Sequence, residues 1–267
     1  MRIDVTIATR NSRMTIEKCI QCIKSFVPYN RIIVIDDSQD ETPKIAERLG
    51  CEVYHMHGLL GEIRLKQAEL ARTEWIASID SDVFVYPNWW REMGPFLSRP
   101  NVGAISCFVD SSTASIYPEY DKFTKYMIMQ IRKIAATGAI DETLIRRKIL
   151  VECTDLKKKR IHGGEDGYIG RFLRKKGYIW VTIEKPLGFH FHQDPLGWLK
   201  NGRRRMGMSS RIRFGFSLGI LQVLRTPFMN TFFWLKYSRK MRSFNFSLWF
   251  FLIYLSLIEL IGFLANE

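Results

Sequence analysis

Asp80-Ser81-Asp82 sets two carboxylates two residues apart, directly after the apolar run Trp75-Ile-Ala-Ser-Ile79. Carboxylates where a core strand gives way to a loop are costly to desolvate unless a cation shares the place. Oxygen ligands of this kind select a hard ion such as Mg²⁺ or Mn²⁺, which is typically shared with substrate phosphates. Asp36-Asp37 closes a second apolar run, Arg31-Ile-Ile-Val-Ile35, and Glu165-Asp166 follows a glycine pair, Gly163-Gly164. A carboxylate within hydrogen-bond reach of a hydroxyl can act as a general base. His190 and His192 are spaced to project from the same face of a strand, where either imidazole can bind metal. Five scattered cysteines give no disulfide framework, and Cys19-x-x-Cys22 lacks the second pair that would complete a zinc site. Core packing is the reading for that pair.

These residues need elements to hold them. The opening Met1-Arg-Ile-Asp-Val-Thr-Ile-Ala-Thr9-Arg-Asn11 reads as a strand from the first residue, with no apolar signal stretch ahead of it. Ile16, Cys19, Ile20 and Ile23 then fall at helical spacing. A buried strand ends at Ile35, and Thr42 and Pro43 suit an N-cap and first helical position for a helix reaching Leu49. Gly50 ends that helix, Cys51 to His55 form a third strand, and a helix over about Glu62 to Arg72 precedes the strand that delivers Asp80. Strands alternating with helices predict an α/β fold with a Rossmann-like, mostly parallel sheet. Acidic residues collect just past two strand ends, where open α/β sheets bind ligands. The first half therefore reads as a nucleotide-binding domain with a metal at its edge.

Four segments make the chain resemble family 2 glycosyltransferases of the GT-A fold: Val5-Thr-Ile-Ala-Thr9-Arg-Asn11, Val34-Ile-Asp36-Asp37-Ser38, Gly61-Glu-Ile-Arg64 and Ile79-Asp80-Ser81-Asp82. The likeness resumes at Thr137-Gly138-Ala139 with Leu144-Ile-Arg-Arg147, then at Gly163-Gly164-Glu165-Asp166, Arg171 to Gly177-Tyr178 and His190, and covers about residues 1–192. The resemblance implies a donor site in which Asp37, ahead of Asp36, reads the nucleotide base and Thr9 sits beside the nucleotide. Arg64 either lends its charge to the donor or sits in a helix-face salt bridge. It further implies a Mn²⁺ or Mg²⁺ ion on Asp82, with Asp80 directly or through water and His190 as a further ligand. His192 competes for that last place. Asp166 is implied as the general base, with Glu165 holding the acceptor or standing in for it. A single displacement assisted by a base inverts the anomeric carbon.

Composition changes after about Pro195. Residues 196–267 hold eleven Lys and Arg against two Glu, so +9 of the chain's +13 lies there and residues 1–195 carry +4. The expected organisation is a catalytic domain over 1–195 (donor half 1–110, acceptor half 111–195) and a basic, apolar helical region over 196–267. Basic residues at Arg203-Arg-Arg205, Arg211, Arg213 and Lys236 to Arg242 alternate with aromatic and aliphatic runs, and Phe246 to Ala265 is almost wholly apolar. That pattern disfavours a nucleic-acid surface, which wants cations on a polar scaffold. It fits membrane association at the cytoplasmic face, either as one C-terminal span or as helices lying in the interface. A buried dimerisation helix is the competing reading, and the oligomeric state is left open. Lys157-Lys-Lys-Arg160 reads as a solvated loop or a contact to lipid phosphate.

The expected activity is transfer of a sugar from a nucleotide-diphosphate donor, GDP-mannose first and UDP-glucose second, to a hydroxyl of a membrane glycolipid or saccharide acceptor. No residue decides the sugar or the base. A polyprenyl- or dolichyl-phosphate sugar synthase is the alternative, since a phosphate acceptor needs no base. A non-catalytic sugar-nucleotide-binding protein ranks below both.

Overall fold

The computed structural model describes residues 1–135, 138–153, 155–158 and 164–265. Thr137, Gly163 and the Lys159-Arg160 end of the basic run lie outside the described residues. Two compact units are present. The first comprises Met1–Ser111, Ile134–Arg160 and Glu165–Phe191, and the second Ser112–Lys133, Ile161–Gly164 and His192–Glu267. The division cuts through the expected acceptor half, because the segment 112–133 groups with the tail.

The first unit is built on one eight-stranded sheet. In chain order its elements begin β1 (Ile3–Thr9), α1 (Ile16–Phe26), β2 (Tyr29–Asp36), α2 (Thr42–Arg48), β3 (Glu52–His55), α3 (Leu60–Leu70) and β4 (Trp75–Asp80). There follow β5 (Val83–Val85), α4 (Trp89–Met93) and β6 (Val102–Ser111). Helices α5 (Thr113–Ile116) and α6 (Pro118–Ala135) intervene before β7 (Glu142–Arg146), α7 (Arg147–Glu152), α8 (Asp155–Lys158), α9 (Glu165–Lys175) and β8 (Ile179–His190). The sheet order is β3-β2-β1-β4-β7-β6-β8-β5. Strands β3, β2, β1 and β4 run parallel, β7 reverses against β4 and β6, and β5 pairs antiparallel with the end of β8.

Apolar periodicity explains the core. Ile16, Cys19, Ile20 and Ile23 of α1 are all buried, and the strands beneath them bury Ile3, Val5, Ile7, Val34, Ala77 and Ile79. Two of the local ends that differ from the sequence reading have a visible cause. Thr42 is the first residue of α2 and Glu41 holds the N-cap position, while the Thr42 backbone N–H and hydroxyl both donate to Asp40 Oδ1 at 3.0 and 2.5 Å. Helix α3 begins at Leu60, earlier than expected, because the Glu62 carboxylate accepts the Leu59 N–H at 2.8 Å and closes the first turn two residues upstream.

The second unit contains α6, α10 (Pro195–Met241) and α11 (Phe246–Leu264). Helix α10 is not one rod. Gly215 breaks it with φ 70° and ψ −177°, a conformation that glycine adopts without strain. Both Arg203 and Thr226 reach Glu259 of α11, at 3.3 and 3.1 Å. A straight helix would separate those two residues by about 34 Å, so the limbs on either side of Gly215 double back.

Candidate active site

Parallel strands deliver the acidic residues to one edge of the sheet. Asp36 ends β2 and Asp80 ends β4, with Asp82 just beyond it. Asp36 is buried, accepts the Thr9 hydroxyl at 2.6 Å and the Ser38 N–H at 3.2 Å, and lies 3.3 Å from His55. Thr9 thus spends its hydroxyl on Asp36. Asp37 is the outward member of the pair, with His57 at 3.0 Å and Arg10 at 3.8 Å. Ser12, just past the loop after β1, hydrogen-bonds Ser81 at 2.7 Å and ties that loop to the Asp80-Ser-Asp82 turn.

Arg64 is enclosed. Its guanidinium donates to Ser78 Oγ at 2.9 Å, Gln67 Oε1 at 3.3 Å and Asp80 Oδ1 at 3.1 Å, and its Nε lies 3.5 Å from Glu165. Of the two expected roles, the ion pair is the one these contacts describe, in the interior and not on a helix face. Burial opposes the guanidinium charge, while Asp80 and Glu165 hold it in place and raise its pKa. One buried cation therefore underlies both the Asp80-Ser81-Asp82 turn and Glu165.

Asp82 Oδ1 lies 3.1 Å from His190 Nε2, at the end of β8. The register that brings them together pairs Val83 with His190, and the Phe191 N–H donates to the Asp82 carbonyl at 2.8 Å. Burial raises the Asp80 carboxyl to about 6, with Arg64 opposing and the neighbouring Asp141 and Asp82 adding to the rise. For His190, burial alone pushes downward, but the hydrogen bond and charge of Asp82, helped by Asp141 and Asp80, raise it to about 9. These are the surroundings of an anionic cluster that wants a cation.

Asp141 was not singled out by the sequence. Its Oδ2 lies 3.6 Å from His190 Nδ1, and its backbone carbonyl accepts the Asp80 N–H at 2.7 Å. Its Oδ1 is buried with no hydrogen-bond partner among the described residues. The signal was an acidic pair, Asp141-Glu142, placed just before a strand and not after one. Because β7 runs antiparallel to β4, its beginning meets the edge where the parallel strands end.

Glu165 and Asp166 occupy the first turn of α9, after Gly164 in a left-handed conformation with φ 77°. Glu165 is buried against Arg64, whereas Asp166 is half-buried and accepts the Gly167 N–H at 2.7 Å. His192 belongs to the second unit, where its ring stacks on Trp198 at 3.9 Å and its N–H donates to Ser112 Oγ at 2.7 Å. The cysteines are free, and Cys19 is buried with its thiol against the Asp80 carbonyl at 3.5 Å.

The donor set fits a hard divalent ion. Asp82 and His190 converge, Asp80 stands beside them, and carboxylate oxygen with one imidazole suits Mn²⁺ or Mg²⁺. A mixed α/β sheet with acidic turns at its strand ends is the GT-A-like architecture that the motifs implied. The chain belongs to glycosyl transferase family 2, whose sequence model matches residues 4–153. The putative glycosyltransferase EpsH of Bacillus subtilis (strain 168) is 33% identical over 99 residues, which cover 34% of this chain and 29% of that protein. The match thus spans less than a third of that relative's length.

Among solved structures, glucosyl-3-phosphoglycerate synthase from Mycobacterium tuberculosis with Mn²⁺ and UDP-glucose is 17% identical at a TM-score of 0.57, covering 77% of each chain. The same enzyme with Mn²⁺, UDP and glucosyl-3-phosphoglycerate superposes at a TM-score of 0.56, again with 17% identity and 77% of each chain covered. At this identity the likeness establishes the fold.

Proposed function

We propose that this chain is a metal-dependent, inverting glycosyltransferase that moves a sugar from a nucleotide-diphosphate donor to a hydroxyl acceptor at the cytoplasmic face of a membrane. The convergence of Asp80, Asp82 and His190 at the sheet edge carries the reading. Asp37, the outward member of its pair, faces the nucleotide base, while Thr9 holds Asp36 in register behind it. Asp82 and His190 would hold the divalent ion with Asp80, and Asp141 steadies the imidazole from its Nδ1 side. A divalent ion held there would supply positive charge to the departing diphosphate. Asp166 takes the proton from the acceptor oxygen, because Glu165 is committed to Arg64. GDP-mannose and UDP-glucose are the donors to try first, the latter being the one bound by the solved mycobacterial enzyme.

The membrane half of the reading is supported by α11. Among the described residues it is the one helix long and apolar enough to cross a bilayer, with a mean hydropathy of 2.1. The +9 of residues 196–267 suits an anionic leaflet. The test is transfer of labelled sugar into a membrane lipid extract by wild type and Asp166→Asn. Loss of about 10²–10⁴-fold in the variant is the expected result for a general base. Undiminished lipid labelling by the variant would replace the hydroxyl acceptor with a phosphate.

A further inference from the structure

We infer that α11 lies in the plane of the membrane surface, with its outer face in the lipid, and does not cross it. This rests on the membrane association proposed above and decides between its two forms. Length and composition do not decide. Nineteen residues reach about 28 Å, close to the roughly 30 Å of a hydrocarbon core. The neighbours of α11 along its own length do decide.

The face of α11 turned into the second unit buries Leu248, Leu252 and Leu255 among aromatic side chains, and polar or charged groups accompany it along its length. Near its start, Phe251 packs edge-on against Tyr117 and Tyr120 at 5.3 and 5.2 Å. Tyr120 belongs to α6, which also carries Glu119, Asp121, Lys122 and Lys125. Lys122 is more than half exposed and pairs with Glu119 at 2.8 Å. In the middle, buried Ser256 accepts from buried Asn230 at 2.9 Å, and the Lys200 ammonium lies 5.7 Å from the Tyr254 ring centroid. Towards the end, Glu259 takes Arg203 and Thr226, and Arg211 Nη1 donates to the carbonyls of Phe263 and Ala265 at 3.2 Å. Arg204, whose backbone touches Gly262, and Arg205 are exposed.

If α11 crossed the bilayer, these packed neighbours would be carried to the same depths. Exposed charges of α6 would face the hydrocarbon at one level, and the Arg203–Arg205 stretch at another. Charged groups at such depths are strongly disfavoured. Charged groups thus accompany α11 near its start, at Tyr254 and at Glu259, so no level of it suits a bilayer midplane.

The opposite face is the reverse. Phe246, Phe250, Tyr254, Leu257, Ile261 and Leu264 form an exposed apolar stripe at helical spacing. The limb of α10 after Gly215 adds Leu218, Leu221, Phe228 and Phe232, with Phe228 76% exposed. Exposed apolar stripes flanked by Lys236, Arg239, Lys240 and Arg242 match an interfacial layer on anionic lipid.

Spin labels placed one at a time on the six stripe positions (Phe250→Cys and its equivalents, with Cys22→Ser) test this in the full chain. Labelled protein is bound to mixed phosphatidylcholine–phosphatidylglycerol vesicles, and depth is read from relaxation by oxygen against a nickel chelate. The positions are exposed, so the labels do not enter the packed core. The expected result is one shallow depth of about 5–10 Å at all six positions. A profile deepening to the midplane near Tyr254 and Leu257 and returning at both ends would overturn the in-plane placement while leaving membrane association standing. Protein that does not float with the vesicles would overturn both. Label–label broadening in a vesicle-free dimer would also overturn it, assigning the stripe to a second copy of the chain.

Discussion

His190 is the residue on which the local electrostatics turn. Between Asp82 on one nitrogen and Asp141 on the other, its imidazole is raised from 6.5 to about 9 and is therefore protonated at neutral pH. An ion that takes Nε2 must displace that proton, so binding competes with protonation below pH 9. Affinity for Mn²⁺ should rise as pH climbs from 6 towards 9, with roughly one proton released per ion near pH 7. Calorimetry in two buffers of different ionisation heat measures this release directly. It should vanish in His190→Gln, and a wild type without buffer dependence would remove His190 from the ligand set. In the ion-free protein the sign for stability is opposite. The raised pKa stabilises the fold fully below about 6.5, and that contribution is lost as pH passes through 9.

At the scale of elements, motif position was legible wherever a parallel strand ends in an acidic turn. Asp36 and Asp80 stood out because the apolar runs of β2 and β4 end on them. Asp141 was not, since β7 runs the other way and presents its first residues to the same edge. Arg64 showed its spacing in the sequence but not its depth, which depends on Ser78 and Gln67 closing around it. The helical tail was legible as apolar and basic, whereas its doubling back at Gly215 was hidden in a single backbone angle. Close helix contact in that tail yields a separate prediction. A Cβ on Gly262 would lie 2.2 Å from the Arg204 carbonyl oxygen, so Gly262→Val must push α11 off α10. A loss of about 1–3 kcal/mol is expected from overpacking, read from the urea midpoint. An unchanged midpoint would show that the helices do not meet there.

For the whole molecule, family and architecture were readable from four short segments because each places a polar group where the sheet must open. Division into units was less so, since segment 112–133 joins the tail through aromatic contacts that no local pattern announces, such as Phe123 against Tyr237 at 5.7 Å. Sugar and base identity leave no mark in the sequence. The central claim is that Asp82 and its neighbours make sugar transfer depend on a divalent ion. The most direct measurement is turnover of a panel of nucleotide sugars by wild type and Asp82→Ala, with Mn²⁺ and with the ion chelated. Turnover of one donor, abolished by chelation and reduced at least about 10²-fold in Asp82→Ala, is the predicted result. Turnover that is indifferent to both the ion and Asp82, or no donor turned over by the wild type at all, would contradict the account.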